Sequence, residues 1–246
     1  MENRFIKLKR NNLLNTLSIK KNIENLYRLK NVYCSNINLN VTDKTVHINS
    51  SVFFTTDKLI RYKRNLFSKK RLSNLNKKAP INKLFNNKNV LIKTKILNKL
   101  VDKSYAIFIL NNIKKFNSSL FSKRYTQFFD LVKIATLTAY NKENVYLFTR
   151  ILGSIFRSLQ KRKQNLFVSF LKHLLNLMIV KNNKNLQGMK IILNGKLQGK
   201  TRAKTVKIQT GPVSINSIKE KPITSKIHIY TLYGAYGLQI LANYKN

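Results

Sequence analysis

The amino-acid sequence predicts an α+β protein, and three observations predict it. Apolar residues recur at helical spacing through most of 118–180, and from Met189 to Ile240 they alternate with period two in four short runs. Ahead of both, residues 13–48 set a helical stretch beside an alternating hairpin pattern.

The opening helix is predicted over 13–30, where Leu13, Leu17, Ile23, Leu26 and Tyr27 recur at roughly helical spacing. A hairpin follows. Ile37, Leu39 and Val41 alternate with Asn36, Asn38 and Asn40, Val46 and Ile48 flank His47, and Thr42, Asp43 and Lys44 supply the turn. Residues 58–101 then carry fourteen Lys/Arg and no acid. The blocks RYKR, SKKR and NKK, interleaved with Tyr62, Phe67 and Phe85, suit an extension that threads RNA and stacks on bases. They equally suit a solvated low-complexity insertion, and a tail that folds on RNA would satisfy both readings.

The run YAIFIL at 105–110 predicts a short buried strand. Three helices are expected next, over 118–140, 143–162 and 165–180. Val145, Phe148, Leu152, Ile155, Phe156 and Leu159 mark the core stripe of the second, and Leu166, Phe170, Leu174, Leu177 and Met178 that of the third. Beyond Lys181, strands are expected at Met189 to Leu193, Val206 to Ile208, Ile227 to Ile229 and Leu238 to Ile240, punctuated by Gly and Pro. Gly188 and Gly195 bracket the first of them, and Gly199 stands where a tight turn would feed the next.

Charge narrows the function classes. The 246 residues hold 48 Lys+Arg against 8 Asp+Glu, a net charge of +40, with 43% hydrophobic residues. Such an excess repels itself in a compact chain and calls for a dense polyanion, while the apolar content is that of a folded domain. Eight scattered acids argue against carboxylate catalysis; a Mg²⁺-dependent processing enzyme would need a carboxylate cluster, yet Asp102, Asp130 and Glu143 are widely spaced. No catalytic residue, cofactor or metal site is therefore expected. Cys34 alone provides no disulfide framework, and His47, His173 and His228 have no zinc spacing. No run of 18 apolar residues predicts a membrane span, and the basic start MENRFIKLKRNN lacks the apolar core of a secretory signal. The 33 Asn, the Lys and Ile enrichment and the absence of Trp are typical of an AT-rich genome such as an organelle's.

The most informative segment is GMKIILNGKLQGKTRAKT, 188–205. Lys190, Lys196, Lys200, Arg202, Lys204 and Lys207 would line one sheet edge and its loop with cations suited to phosphate. Here the chain resembles the C-terminal domain of the third protein of the small ribosomal subunit, the ribosomal protein S-three family. Gly188, Lys190, Ile191, Asn194, Gly195, Lys196, Leu197 and Gly199 match the family's first block, and Ala203, Lys204 and Thr205 its second, with Lys for Arg. Gly211, Val213, Ile215, Ser217, Ile218 and Lys219 match the third, and Lys219 joins the cations expected to bind rRNA; Thr231, Tyr233, Gly234, Gly237 and Ile240 match the fourth. The blocks fall in order, without a gap, over about 50 residues.

Upstream the resemblance is looser. Residues 152–175 read like the family's paired helices, and 13–48 is placed like the opening of its N-terminal type-II KH domain. KH domains grip RNA backbone with a G-x-x-G loop, whereas the first glycine here is Gly153. The resemblance thus implies a degenerate KH-like domain whose grip passes to the basic insertion, through Arg61, Lys63, Arg64, Lys69, Lys70 and Arg71. It implies four parts: 1–57 as helix and hairpin, 58–101 as insertion, 102–142 as the rest of the KH-like domain, and 143–246 as a C-terminal domain with a four-stranded sheet and packed helices.

By resemblance the chain is an rRNA-binding constituent of the small-subunit head beside the mRNA entrance channel, in the mitochondrial matrix or alternatively a plastid. Its expected partners are small-subunit rRNA, mRNA and neighbouring head proteins. The family's paired basic residues on the helix before the C-terminal domain fall at Val168 and Ser169, leaving Lys172, with Lys161, Arg162 and Lys163 as substitutes; these cations serve equally for rRNA or solvent contact. An RNA-processing or intron-associated RNA-binding protein outside the ribosome is the alternative.

Overall fold

The computed structural model describes residues 18–25, 27, 32–41, 45–55, 89–116, 118–181, 185–197, 203–215, 221–232 and 234–245. The chain is α+β, as the sequence predicts, and divides into two compact units, Met1–Lys99 and Leu100–Asn246.

In the first unit, residues 18–25 and 27 are helical (α1) and precede the strands β1 (Val32–Val41), β2 (Thr45–Phe54) and β3 (Asn89–Ile96). The predicted hairpin is present: β1 and β2 pair antiparallel from Val41↔Val46 back to Val32↔Phe54, with a bulge between Cys34 and Asn36. The predicted turn at 42–44 lies outside the described residues. Alternation decides which face is covered. Val46, Ile48 and Val52 point with Val32, Cys34 and Ile37 into a core sealed by Ile23 of α1, and the Tyr27 hydroxyl lies 3.3 Å from that of Ser50.

β3 revises the reading of 58–101 as a single insertion. Asn89–Ile96 pairs parallel to β2, from Thr45↔Asn89 to Val52↔Ile96. A parallel neighbour requires a crossover of a dozen or more residues, so the segment from 55 to 88 is the connection within a sheet. A 3-10 turn, Leu97–Leu100, spans the boundary at 99/100.

The second unit contains α2 (Lys103–Phe116), α3 (Ser118–Tyr140), α4 (Val145–Ser158) and α5 (Gln164–Lys181), then β4 (Leu186–Gly195), β5 (Lys204–Thr210), β6 (Ile223–Thr231) and β7 (Gly234–Tyr244). The four predicted strands form one antiparallel sheet in the order β5-β4-β7-β6. The predicted strand at 105–110 is instead part of α2. Tyr105, Ala106, Ile109, Leu110 and Ile113 are its buried side, a period of 3.6 that becomes visible only when the window extends past six residues. Asp102 starts this helix, its Oδ1 accepting from the N–H groups of Ser104 (3.0 Å) and Tyr105 (3.3 Å).

α4 packs on β6 and β7 and α5 on β4 and β5; α2 and α3 pack mainly on helices, α3 also meeting the end of β7 where Tyr244 Oη donates to the Thr138 carbonyl at 2.6 Å. Residues 102–142 therefore belong with the C-terminal unit, whose boundary falls at 99/100 instead of 142/143. The reason is visible in α3: from Asp130 to Ala139 every residue except Lys133 is buried, which makes it a central helix. Phe128 of α3 meets Phe167 and Phe170 of α5 edge-on at 5.8 and 5.3 Å, and Phe156 of α4 meets Phe167 at 4.9 Å. The predicted α4 stripe is buried throughout. On α5 Phe170, Leu174 and Met178 of the predicted stripe are fully buried and Phe167, Leu171 and Leu175 join them, whereas Leu166 is 42% exposed.

Three glycines allow close approaches. A Cβ on Gly153 would run into Ile227 Cδ1, so its absence brings α4 down onto β6. Gly188 and Gly211 face each other where β4 enters the sheet, and Gly211 has φ +71°, the left-handed region.

Candidate nucleic-acid interface

Among the described residues the helices cover one face of the C-terminal sheet, and register determines what the other face presents; Leu241, on that other face, is 4% exposed. On β4 the helix-facing residues are Met189, Ile191 and Leu193, all buried; Lys190, Ile192 and Asn194 point the opposite way. In the row through Ile192, Lys207 stands opposite on β5, Gln239 opposite on β7, and Lys226 beyond it on β6. In the next row Lys190 lies between Gln209 and Leu241. Toward the other end, His228 pairs with Gly237 and Tyr230 with Ala235.

The charge on this face has one sign. Strands β4 to β7 contain no Asp or Glu, so Lys190, Lys207 and Lys226 have no anionic neighbour within the sheet. Lys207 and Lys226 are exposed and sit three strand spacings apart, about 14 Å, while Lys190 lies diagonal to Lys207 at about 7–8 Å. Tyr230 is 71% exposed at the rim, an aromatic plane free to stack. The arrangement can hold phosphates at separated points, present amide groups from Gln209 and Gln239 between them, and take one base on Tyr230.

Of the predicted rRNA-binding residues, Lys190 and Lys207 are brought together here. Lys204 has the other parity, opposite Gly195 at the end of the edge strand, and Lys196 follows β4, where its carbonyl accepts a 3.0 Å hydrogen bond from buried Tyr236 Oη. Lys200, Arg202 and Lys219, with Arg61, Lys63, Arg64, Lys69, Lys70 and Arg71, lie outside the described residues. Lys226, His228 and Tyr230 go unpredicted because only the apolar residues of their strand, Ile227 and Ile229, are read from the sequence. Their alternation with Ile227 and Ile229 was the available signal, since it commits them to one outward face.

The residues expected at the mRNA entrance occupy the helical side of the sheet. Lys161, Arg162 and Lys163 form a 3-10 turn joining α4 to α5 with no buried residue among them. Lys172 is exposed on α5 with Asn165, Ser169 and Asn176, about 13 Å further along the helix axis from Lys163. The turn cluster and Lys172 are thus separate points rather than one patch.

The carboxylates weighed for hydrolysis have other surroundings. Asp102 caps α2, and its Oδ2 accepts from Tyr140 Oη at 3.3 Å; the Ser104 hydroxyl foremost, then the Tyr105 N–H, holds its pKa below the usual value. Asp130 is buried in α3, where its charge favours the protonated form of Lys133, against the burial that lowers that amine's pKa. Glu143 is exposed on the 3-10 turn before α4. Among the described residues no three His, Cys, Asp or Glu side chains are grouped to hold a metal ion, and no helix is long and apolar enough to cross a membrane.

The chain matches no protein-family model and no curated protein.

Proposed function

We propose that this chain is a structural, RNA-binding constituent of an organellar small ribosomal subunit, most naturally the mitochondrial one, bound to rRNA in the head near the mRNA entrance channel. The observation that carries the reading is the ordered set of blocks from Gly188 to Ile240. The geometry of their glycines supports it: Gly188 and Gly211 hold positions where a side chain would meet backbone. The open sheet face adds the chemistry, because acid-free rows of Lys, Gln and one exposed Tyr suit phosphate and base contact. On this reading Lys190, Lys207 and Lys226 neutralise rRNA phosphates, and Lys161, Arg162, Lys163 and Lys172 approach mRNA from the helical side, beside neighbouring head proteins. The protein contributes position and counterion release; no covalent step is proposed.

Sedimentation of organelle lysate through sucrose gradients, with the chain followed at moderate and then high salt, tests the proposal. The expected result is co-migration with the small subunit that persists to high salt. A chain running free, or with a different RNA particle at moderate salt, would sink the ribosomal assignment and favour an RNA-processing or intron-associated role.

A further inference from the structure

We propose that the exposed rows on the face of the N-terminal sheet opposite α1, beside His47 and Asn49 of β2, form a second RNA-binding surface, taking a single RNA strand laid across β1, β2 and β3; Phe53, further along the same face, is fully buried and bounds it. α1 covers the side carrying Val46, Ile48 and Ser50, so the intervening residues face the other way. There Asn38 stands opposite Asn49, and Asn49 opposite Lys93; one row further on, Asn40, His47 and Leu91 align. All six side chains are exposed, as is Lys95, which lies beside Ser51 in the row on the other side.

Asn is common throughout this chain, so the weight here falls on the register that sets Asn38 opposite Asn49 and Asn40 one row on. Asn is depleted in strands because its amide competes for backbone hydrogen bonds, yet it recurs at exposed alternate positions of β1 and again on β2. Each carboxamide supplies two donors and an acceptor, the set that reads base edges and ribose hydroxyls on an unpaired strand. Lys93 and Lys95 stand about 7 Å apart along β3 and can take phosphates. The three strands contain no acid, and residues 1–99 hold 23 Lys+Arg against 4 Asp+Glu, so a polyanion is the occupant that the charge fits.

The inference rests on the RNA-binding part of the proposed function and not on its ribosomal part. Its test is fluorescence anisotropy of the full chain with a labelled single-stranded RNA, and separately with labelled heparin, across a salt series. N38A/N49A is expected to weaken RNA binding at least fivefold with an unchanged salt slope and unchanged heparin binding. K93Q/K95Q is expected to weaken both and to reduce the RNA salt slope by about 1.4, two single-strand contacts at roughly 0.7 each. K20Q/K21Q on α1 is the charge-matched control, and N38S/N49S replaces the alanine pair should its circular dichroism depart from wild type. RNA affinity within twofold of wild type for the amide pair, or an effect of K93Q/K95Q no larger than the control's, would overturn the proposal. A chain that loses RNA through this face yet sediments away from the small subunit would sink the ribosomal reading and leave this surface standing.

Discussion

The side-chain amide of Asn98 satisfies both backbone groups of Phe54: its Oδ1 accepts from the Phe54 N–H and its Nδ2 donates to the Phe54 carbonyl, each at 2.8 Å. The ladder between β2 and β3 ends at Val52↔Ile96, so this one side chain occupies the backbone groups of β2 just past the last backbone pair. Asn98→Ala is expected to destabilise the N-terminal unit by about 1–3 kcal/mol, because two half-buried backbone groups lose their partner. Amide hydrogen exchange in β2 and β3 would read the loss, and unchanged protection there would refute the role.

Gly188 and Gly153 are both tight, with different consequences. The atom that a Cβ at Gly188 would strike is the Pro212 carbonyl oxygen, part of the backbone, whereas at Gly153 it is the terminal methyl of Ile227. Gly188→Ala should therefore cost about 1–3 kcal/mol through a forced strand shift. Gly153→Ala gains about 1 kcal/mol of helix propensity against a methyl that can turn aside, leaving little net change. Urea midpoints of the two variants check the ordering.

Asp102 makes stability depend on acid pH. Hydrogen bonds from Ser104 and Tyr105 lower its pKa in the folded chain below the ordinary 3.8, so the unfolded chain binds the proton more readily. Its contribution is complete above that ordinary value and declines as pH falls through the folded one. Asp102→Asn should keep the cap and remove this pH dependence, while Asp102→Ala should cost about 1 kcal/mol at neutral pH. Thermal melts between acid and neutral pH distinguish the three proteins.

On the C-terminal sheet, K207Q/K226Q should weaken RNA binding more strongly at low salt and reduce the salt slope by about 1.4, for two single-strand phosphate contacts. Tyr230→Ala should lower affinity by about 1–3 kcal/mol with the slope intact, since stacking carries no counterion. Titrations of the full chain at several salt concentrations separate the two effects. Equal slopes for wild type and the double variant would remove this face from the interface.

The C-terminal sheet was readable because its strands alternate cleanly, Met189–Ile191–Leu193 in particular, and because glycines punctuate them. YAIFIL was unreadable as a helix at six residues, since a short apolar run fits either period. β3 lay within the basic tract, yet Val90, Ile92, Thr94 and Ile96 alternate there; charge density obscured a strand whose identity depends on pairing with distant β2. For the same reason neither basic face could be assembled in advance. Lys226 becomes a neighbour of Gln239, and Lys93 of Asn49, only through register.

The parallel pairing of β2 with β3 also makes chain length between Phe54 and Asn89 nearly a free variable. Closure entropy grows with the logarithm of loop length, so doubling that connection would cost the unit only about 0.6 kcal/mol. Phe54 and Asn89 are pinned by their ladder, while the number of residues spanning them can expand or contract with little thermodynamic resistance. The same distance in sequence slows the search for the pairing, so β3 should join a hairpin that has already closed.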